Sequence, residues 1–171
     1  MNAINWKSEI VRLAMIKQSI ANLDKKKALL WALPNLAACE DDLLAAERAV
    51  ARRLPAGYRE FLRFANGWRG FCVLTDLFGT KDLIEGKGAE ARSRPDVVEF
   101  CKDNGLEQSG CLVVGDSPND LNLFAMFSEW PETVVWICGE EVDRYNTFAE
   151  FFIAMIAYNE QVAARLANQA N

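Results

Sequence analysis

Histidine is absent from the 171-residue chain. It is the side chain best suited to proton transfer near neutral pH and the commonest metal ligand in proteins. Its absence excludes Ser-His-Asp and Cys-His catalysis and every zinc site that needs an imidazole. The five cysteines stand singly, without a C-x-x-C pair, and their odd number does not suit a closed disulfide framework. We therefore expect reduced thiols and no metal site.

Long apolar runs are also missing. The N-terminus contains Lys7, Glu9, Arg12 and Lys17, so it lacks the uninterrupted apolar stretch of a secretory signal. The longest largely apolar stretch, residues 148–157, has about half the length of a membrane-spanning helix. We therefore expect a cytoplasmic protein that does not enter a membrane.

Charge is divided unevenly along the chain. Residues 1–71 contain 12 Lys/Arg and 7 Asp/Glu, whereas residues 72–171 contain 7 Lys/Arg and 17 Asp/Glu, so the two parts carry net charges of +5 and −10. An acidic C-terminal part repels nucleic acid and accelerates the encounter with a basic partner. The same carboxylates can also serve only to keep the domain in solution, and both interpretations stay open.

The apolar spacing predicts helices in the first part of the chain and strands after it. Helices are expected over residues 5–21, from Asp24 to before Pro34, and from Glu40 to Pro55, and a fourth from there to the stop at Asn66-Gly67. The expected strands are residues 71–78, 111–114, 121–127 and 133–138. The second and third of these form an antiparallel hairpin because turn formers occupy residues 117–120.

The remaining segments complete an α+β prediction. Residues 79–95 are polar and glycine-rich, which favours a long loop, and a short helix follows from Asp96 to about Asp103. Thr147 to Glu150 form a capping box, and an apolar face follows at helical spacing, so a C-terminal helix is expected to pack on the sheet. N-terminal helices, a mostly antiparallel central sheet and a closing helix define the predicted fold.

Several segments, in this order along the chain, resemble the SUKH superfamily and its group related to yeast cell-wall synthesis regulators. They are the acidic helix Cys39–Glu47, the L-P-x-x-Y-x-x-F-L segment Leu54–Leu62, the Asn66-Gly67 turn, Leu77-Phe78-Gly79, the strand Val134-Val135-Trp136 and the helix start Thr147–Phe152. The resemblance implies a single SUKH-like domain over residues 1–171, with an N-terminal helical extension at 1–36 and a core at 37–160.

The resemblance implies function by binding, without catalytic residues, cofactor or metal. Many bacterial members are immunity proteins that neutralise toxins, often nucleases, delivered between competing cells. The resulting interpretation is an immunity-type protein whose partner is a cognate toxin with a basic surface, with no binding to nucleic acid or membranes. A regulatory module that recruits a partner without inhibiting it stays open as an alternative.

Seven residues are predicted to contact that partner. Asp116, Asp120, Glu140, Glu141 and Asp143 would face Arg and Lys side chains of the toxin. The last three are expected in a loop before the final helix, where they could instead only complement the helix N-terminus. Trp68 and Arg69 are expected to form an exposed anchor pair of the kind enriched in binding hot spots.

Two segments suggest an enzymatic alternative. Val73–Thr80 resembles the nucleophile strand and D-x-x-G-T turn of the haloacid dehalogenase superfamily, and Gly115–Asp120 resembles its magnesium loop. In such a phosphatase Asp76 would attack phosphorus, and Asp116 and Asp120 would hold Mg²⁺. However, only 35 residues separate Gly79 from Gly115, too few for the βα units that this superfamily places between its loops. We therefore expect that the chain is not an enzyme.

Overall fold

The structure is a computed structural model that describes residues 4–117 and 120–170. The chain alternates helices with short strands and ends in a long helix. Within the described residues the elements are α1 (Trp6–Leu23), α2 (Glu40–Ala49), α3 (Ala56–Leu62), β1 (Trp68–Cys72), β2 (Thr75–Leu77), α4 (Thr80–Ile84), α5 (Lys87–Ala91), α6 (Pro95–Asp103), a 3-10 turn (Gln108–Gly110), β3 (Cys111–Asp116), β4 (Asn122–Phe127), β5 (Trp130–Cys138), β6 (Glu140–Tyr145) and α7 (Phe148–Ala170).

All six strands form one sheet in the order β1-β2-β3-β4-β5-β6, and every neighbouring pair is antiparallel. The α+β prediction is therefore confirmed, and so is the β3–β4 hairpin, in which Val113 pairs with Ala125 and Asp116 with Leu123. A haloacid dehalogenase fold needs parallel strands joined by crossover helices. The fold implied by that alternative is wrong for this chain, because all neighbouring pairs of the described strands are antiparallel.

Helices cover both faces of the central strands, which explains why β3 and β4 are apolar at nearly every position. Phe124 of β4 faces α7, where its ring lies 4.8 Å from that of Phe151. Phe127 faces the other way, and its ring lies 5.5 Å from that of Phe100 on α6. The predicted apolar stripe of α7 is buried throughout. Among the residues described, no helix has both the length and the hydropathy needed to cross a bilayer.

Helix α1 adds a layer to this core. Its buried side chains include Trp6, Leu13 and Ile20, and the helix packs along α7. The Trp6 ring lies 5.5 Å from the Phe61 ring and 5.4 Å from the Phe152 ring, so α1 joins an aromatic cluster built from three helices. The N-terminal helix therefore uses its apolar face inside the molecule.

The expected helix after Asp24 is wrong. Asp24 instead ends α1, and its carboxylate accepts a hydrogen bond from the backbone N–H of Leu29 at 2.7 Å, so it closes a turn and does not begin a second helix. The irregular segment that follows lies against the outer edge of β1, where the Trp68 Nε1–H donates to the Ala32 carbonyl at 2.8 Å. Tertiary contact with the sheet thus replaces local helix formation.

The expected loop over residues 79–95 is also wrong, because it contains α4 and α5. The first of these helices is stabilised at its start by the Asp82 carboxylate, which accepts from the Gly79 N–H at 2.9 Å. Gly88 of α5 lies so close to β3 that an added Cβ would be 3.0 Å from the Val113 carbonyl oxygen. Gly88, one of the glycines that suggested a loop, therefore allows α5 to approach the sheet.

Three of the segments that carry the family resemblance, around Tyr58, Asn66 and Gly79, lie in contact with one another. The Asn66 amide donates to Thr80 Oγ1 at 2.8 Å and accepts from the Thr80 N–H at 2.7 Å. The Tyr58 hydroxyl donates to the Phe78 carbonyl at 2.6 Å. A Cβ on Gly79 would lie 2.2 Å from the Asn66 carbonyl oxygen. These contacts fix the turn between α3 and β1 against the end of β2.

Lys17 and Asp76 hold the two backbone polar groups of Gly70 in β1. The Lys17 ammonium donates to the Gly70 carbonyl, and the Gly70 N–H donates to Asp76 Oδ1 at 2.7 Å. Asp76 therefore has a structural role at the β1–β2 hairpin. Lys17 is 5 % exposed, and its burial lowers its pKa from 10.5 to about 8.

This lowered pKa predicts a pH-dependent stability. Between the folded pKa and the unfolded value the unfolded chain holds the Lys17 proton and the folded chain does not, so the free energy of unfolding rises with pH in this window. We expect the difference between wild type and Lys17→Met, measured by urea denaturation, to grow in favour of wild type by about 1 kcal/mol from pH 7 to pH 9. Buried thiols change the free energy of unfolding with pH in the opposite direction. Both proteins contain these thiols, so their contribution cancels in the difference between wild type and the variant. Parallel pH profiles would contradict the prediction.

Candidate protein-docking surface

Two hairpin turns bring predicted partner residues to one end of the sheet. Asn122 at the start of β4 pairs with Cys138 at the end of β5, which in turn pairs with Glu140 of β6. The Leu121 Cδ1 atom lies 3.9 Å from the position that a Cβ on Gly139 would take. The turn that contains Asp120 and the turn that precedes Glu140 are therefore neighbours.

Helix α6 adds two further carboxylates beside the second turn. Glu99 and Asp103 line a groove of about 420 Å³ together with Gly139, Glu140 and Glu141. We define the acidic end as Glu99, Asp103, Asp116, Asp120, Glu140 and Glu141. The contribution of α6 was missed in the sequence, although its signal was present, because Glu99 and Asp103 are four residues apart and therefore share one face of a predicted helix.

Asp116 is half-buried and its charge is already matched within the protein. Its carboxylate forms a 2.5 Å salt bridge with Arg94, which also binds Asp96 at 2.6 Å and the Leu121 carbonyl at 2.7 Å. Burial raises the pKa of Asp116 above its ordinary value, and the charge of Arg94 opposes this shift. Asp116 thus anchors Arg94, which ties the start of α6 to the β3–β4 turn.

The predicted residues Arg69, Asp116 and Asp120 line one cleft of about 640 Å³. Asp76 lines it too, but Lys87 and Arg94 contribute positive charge among these carboxylates. Within residues 4–117 and 120–170, no three acidic, cysteine or histidine side chains are arranged to hold a metal ion. The cleft therefore has mixed charge, and the carboxylates of Asp76, Asp116 and Asp120 bind groups of the protein itself.

Glu140, Glu141 and Asp143 lie in a strand, so their expected loop is wrong. They belong to β6, the edge strand of the sheet, where they are exposed. Pairing skips Val142, because Asp143 faces Trp136 and Glu141 faces Ile137, and this bulge bends the edge. Arg144 pairs with Glu141 at 2.7 Å, and its guanidinium carbon lies 4.2 Å from the centre of the Trp130 ring. The remaining two carboxylates have no ion-pair partner among the residues described.

The expectation that Trp68 is exposed is wrong. The side chain is 1 % exposed, because the segment before α2 covers it and its indole N–H is bound by the Ala32 carbonyl. A buried side chain cannot be an anchor on a preformed surface. Arg69, the next residue in β1, is exposed and remains available to a partner.

Comparison with known proteins places this fold in a family. Residues 37–154 match the sequence model of the SMI1 / KNR4 family (SUKH-1). The matched residues extend from before α2 into α7 and include the whole sheet and the acidic end, whereas α1 precedes them. A search of curated proteins found no match to the chain. Because the family match covers more than half of its residues, the chain belongs to the SMI1 / KNR4 family of the SUKH superfamily.

Proposed function

We propose that the protein is an immunity-type module that neutralises a cognate toxin by docking its acidic end on a basic surface of that toxin. The observation that carries the proposal is the groove in which carboxylates from α6 and β6 converge. Membership of a SUKH family supports a role in immunity or regulation through protein binding. The antiparallel fold and the structural use of Asp76 supply no support for an enzymatic role.

The charge of the acidic end determines the kind of partner. Four carboxylates line the groove, and one of them, Glu141, forms an ion pair with Arg144. A surface of one sign accelerates the approach of a surface of the opposite sign and repels partners of its own sign. A nuclease toxin binds phosphates through Lys and Arg side chains, so the acidic end can occupy the place of the nucleic acid.

Growth rescue tests the function directly. The chain would be co-expressed with the toxin domain encoded beside its gene, and growth would be compared with that of cells that express the toxin alone. Restored growth, together with a purified complex, is the expected result. A complex that forms without restoring growth would favour the regulatory alternative, and the absence of both would reject the proposal.

Charge reversal tests the surface. We expect the triple variant Glu99→Lys, Asp103→Lys and Glu140→Lys to weaken toxin binding about 30-fold or more at low salt, because three favourable charges become repulsive. None of these side chains bonds to another described residue through its carboxylate, so the fold should persist. Calorimetric titration at two salt concentrations would measure the change, which should shrink as salt screens the charges.

A matched control separates local contact from overall charge. The variant Glu60→Lys, Glu85→Lys and Glu107→Lys changes the net charge equally at exposed positions outside the acidic end. We expect its affinity to stay within about threefold of wild type. Equal losses in the two triple variants would show that net charge, and not the acidic end, governs binding.

A further inference from the structure

A second cleft lies near the start of β3, whereas the acidic end lies near the end of that strand. It has a volume of about 560 Å³ and is bounded by the end of α2, helices α4 and α5, and the start of β3. Arg52 and Arg92 line it, together with the apolar side chains of Val50, Leu83 and Ile84, and no carboxylate is among its lining residues. The cleft therefore has a largely apolar lining and two cationic side chains.

The two arginines differ from the other half-buried arginines that the structure describes. Arg59 is paired with Glu40 and Glu47, and Arg94 is paired with Asp96 and Asp116. Among the ion pairs of the described residues, neither Arg52 nor Arg92 takes part. A partly desolvated guanidinium without a counter-ion is unfavourable, so such a group favours an anion from outside.

Both guanidinium groups converge on one short piece of backbone. Arg52 Nη1 donates to the Gly110 carbonyl at 2.6 Å, and Arg92 Nη1 lies 3.4 Å from the Ser109 carbonyl. Burial raises the pKa of the adjacent Cys111 thiol to about 12, and the charges of Arg92 and Arg52 both oppose this shift. Each guanidinium has five N–H donors, so most of the donors of both remain for a shared ligand.

The local backbone fixes where these arginines lie. Helix α2 ends at Ala49, and Ala51 adopts a left-handed conformation with φ of 53°, which turns the chain so that Arg52 reaches the sheet. Arg92 caps α5, the helix that Gly88 allows to approach β3. Arg92 is thus the cap of a helix and Arg52 follows a helix end closely, so the backbone on which both cations are placed is defined by the fold.

We propose that this cleft binds a small organic anion. Its carboxylate or phosphate group would lie between Arg52 and Arg92, where planar guanidinium groups can form paired charge-assisted hydrogen bonds. Its apolar body would rest on Val50, Leu83 and Ile84. The cleft contacts β3 from Cys111 to Val113, and the acidic end contacts the same strand at Asp116, so the two sites use different parts of β3. The proposal does not depend on toxin binding.

Titration of the full chain with phenyl phosphate, benzoate and benzyl alcohol tests the site. These probes share an apolar ring and differ in their head group, and amide and arginine Nε–H resonances would report the binding position by NMR. We expect at least one anionic probe to saturate with a Kd of about 1 mM and to shift Arg52 and Arg92, and the neutral alcohol to bind at least tenfold more weakly. The stronger of the two anions identifies the head group.

Two double variants distinguish binding in the cleft from nonspecific electrostatic attraction of anions to the protein. Arg52→Gln with Arg92→Gln should raise the Kd at least tenfold, whereas Arg48→Gln with Arg53→Gln, which changes the net charge equally at neighbouring positions outside the cleft, should leave it within about twofold. If the first double variant fails to fold, Arg92→Gln alone serves, because its 3.4 Å contact contributes little to the fold, and about a fivefold weakening is expected. The proposal is overturned if neither anion binds, if the alcohol binds equally well, or if the two double variants weaken binding equally.

Discussion

Replacing Gly79 by alanine is expected to lower the free energy of unfolding by about 3–5 kcal/mol. An added Cβ would lie 2.2 Å from the Asn66 carbonyl oxygen and 2.7 Å from its carbonyl carbon. Both are backbone atoms, so no side-chain rotation can relieve the overlap. The substitution would force apart the turn between α3 and β1 and the end of β2, and would weaken the two Asn66–Thr80 hydrogen bonds there. Thermal denaturation should show a midpoint lower by about 10 °C or more.

Gly86→Ala is the control for this prediction. Gly86 has a φ of +83° but nothing within 4 Å of an added Cβ, so alanine there adds only backbone strain. We expect a loss of about 1 kcal/mol. Gly79 does not have a positive φ, so alanine there adds no backbone strain of this kind. If Gly79→Ala lowers the free energy of unfolding no more than Gly86→Ala does, the close packing of Gly79 against Asn66 is contradicted.

The second large effect is expected at Trp6. The side chain is 2 % exposed and its ring lies within 6.1 Å of the Phe61, Phe148 and Phe152 rings. Trp6→Ala would leave a cavity where α1, α3 and α7 meet, and should lower the free energy of unfolding by about 3–5 kcal/mol. Urea denaturation measures the loss. If α1 were instead a loosely attached extension, the variant would unfold at nearly the wild-type urea concentration.

Trp6→Phe provides the matched comparison. The Trp6 Nε1–H is buried and has no hydrogen-bond partner among the described residues. Phenylalanine fills most of the same space and removes this unsatisfied donor, which partly offsets the lost contact area. We therefore expect a loss of only about 1 kcal/mol. Equal losses for the two Trp6 variants would mean that the indole N–H is satisfied or that phenylalanine cannot fill the site.

The elements predicted correctly are those whose pattern is long and local. Helix α7 shows half of its predicted capping box: the Glu150 N–H donates to Thr147 Oγ1 at 3.1 Å, while the Glu150 carboxylate accepts from the N–H of Asn146, one residue before the cap. Strands β3 and β5 were expected from their apolar β-branched runs, because buried strands favour such residues. The order of these elements was enough to predict the α+β class.

The errors fall where distant contacts decide the structure. Helices α4 and α5 have five residues each, too few to display a helical period. Strand β6 is rich in carboxylates, which are rare in strands, and it forms only because β5 lies beside it. Trp68 is buried by Ala32 and its neighbours, 36 residues earlier, which no local pattern reveals.

The candidate site was partly predictable for the same reason. The sequence alone suggested Asp120, Glu140 and Glu141 as contacts to a basic partner. Their proximity, however, follows from two hairpins whose turns lie at the same end of the sheet. Asp116 was expected to face a partner, and Arg94, whose role was not visible in the sequence, already binds it. The cleft between Arg52 and Arg92 was not predicted, since these two residues are brought together only because α2 and α5 both pack against α4.

The exposed edge strand β6 also affects whether copies of this chain associate through their sheets. Two β6 strands laid side by side would oppose like carboxylates, and the bulge at Val142 would interrupt their hydrogen-bond ladder. Growth of the sheet from molecule to molecule, the first step toward fibrils, is therefore disfavoured at this edge. A concentrated solution of the protein should resist such polymerisation most strongly at low salt, where these charges repel over the longest range.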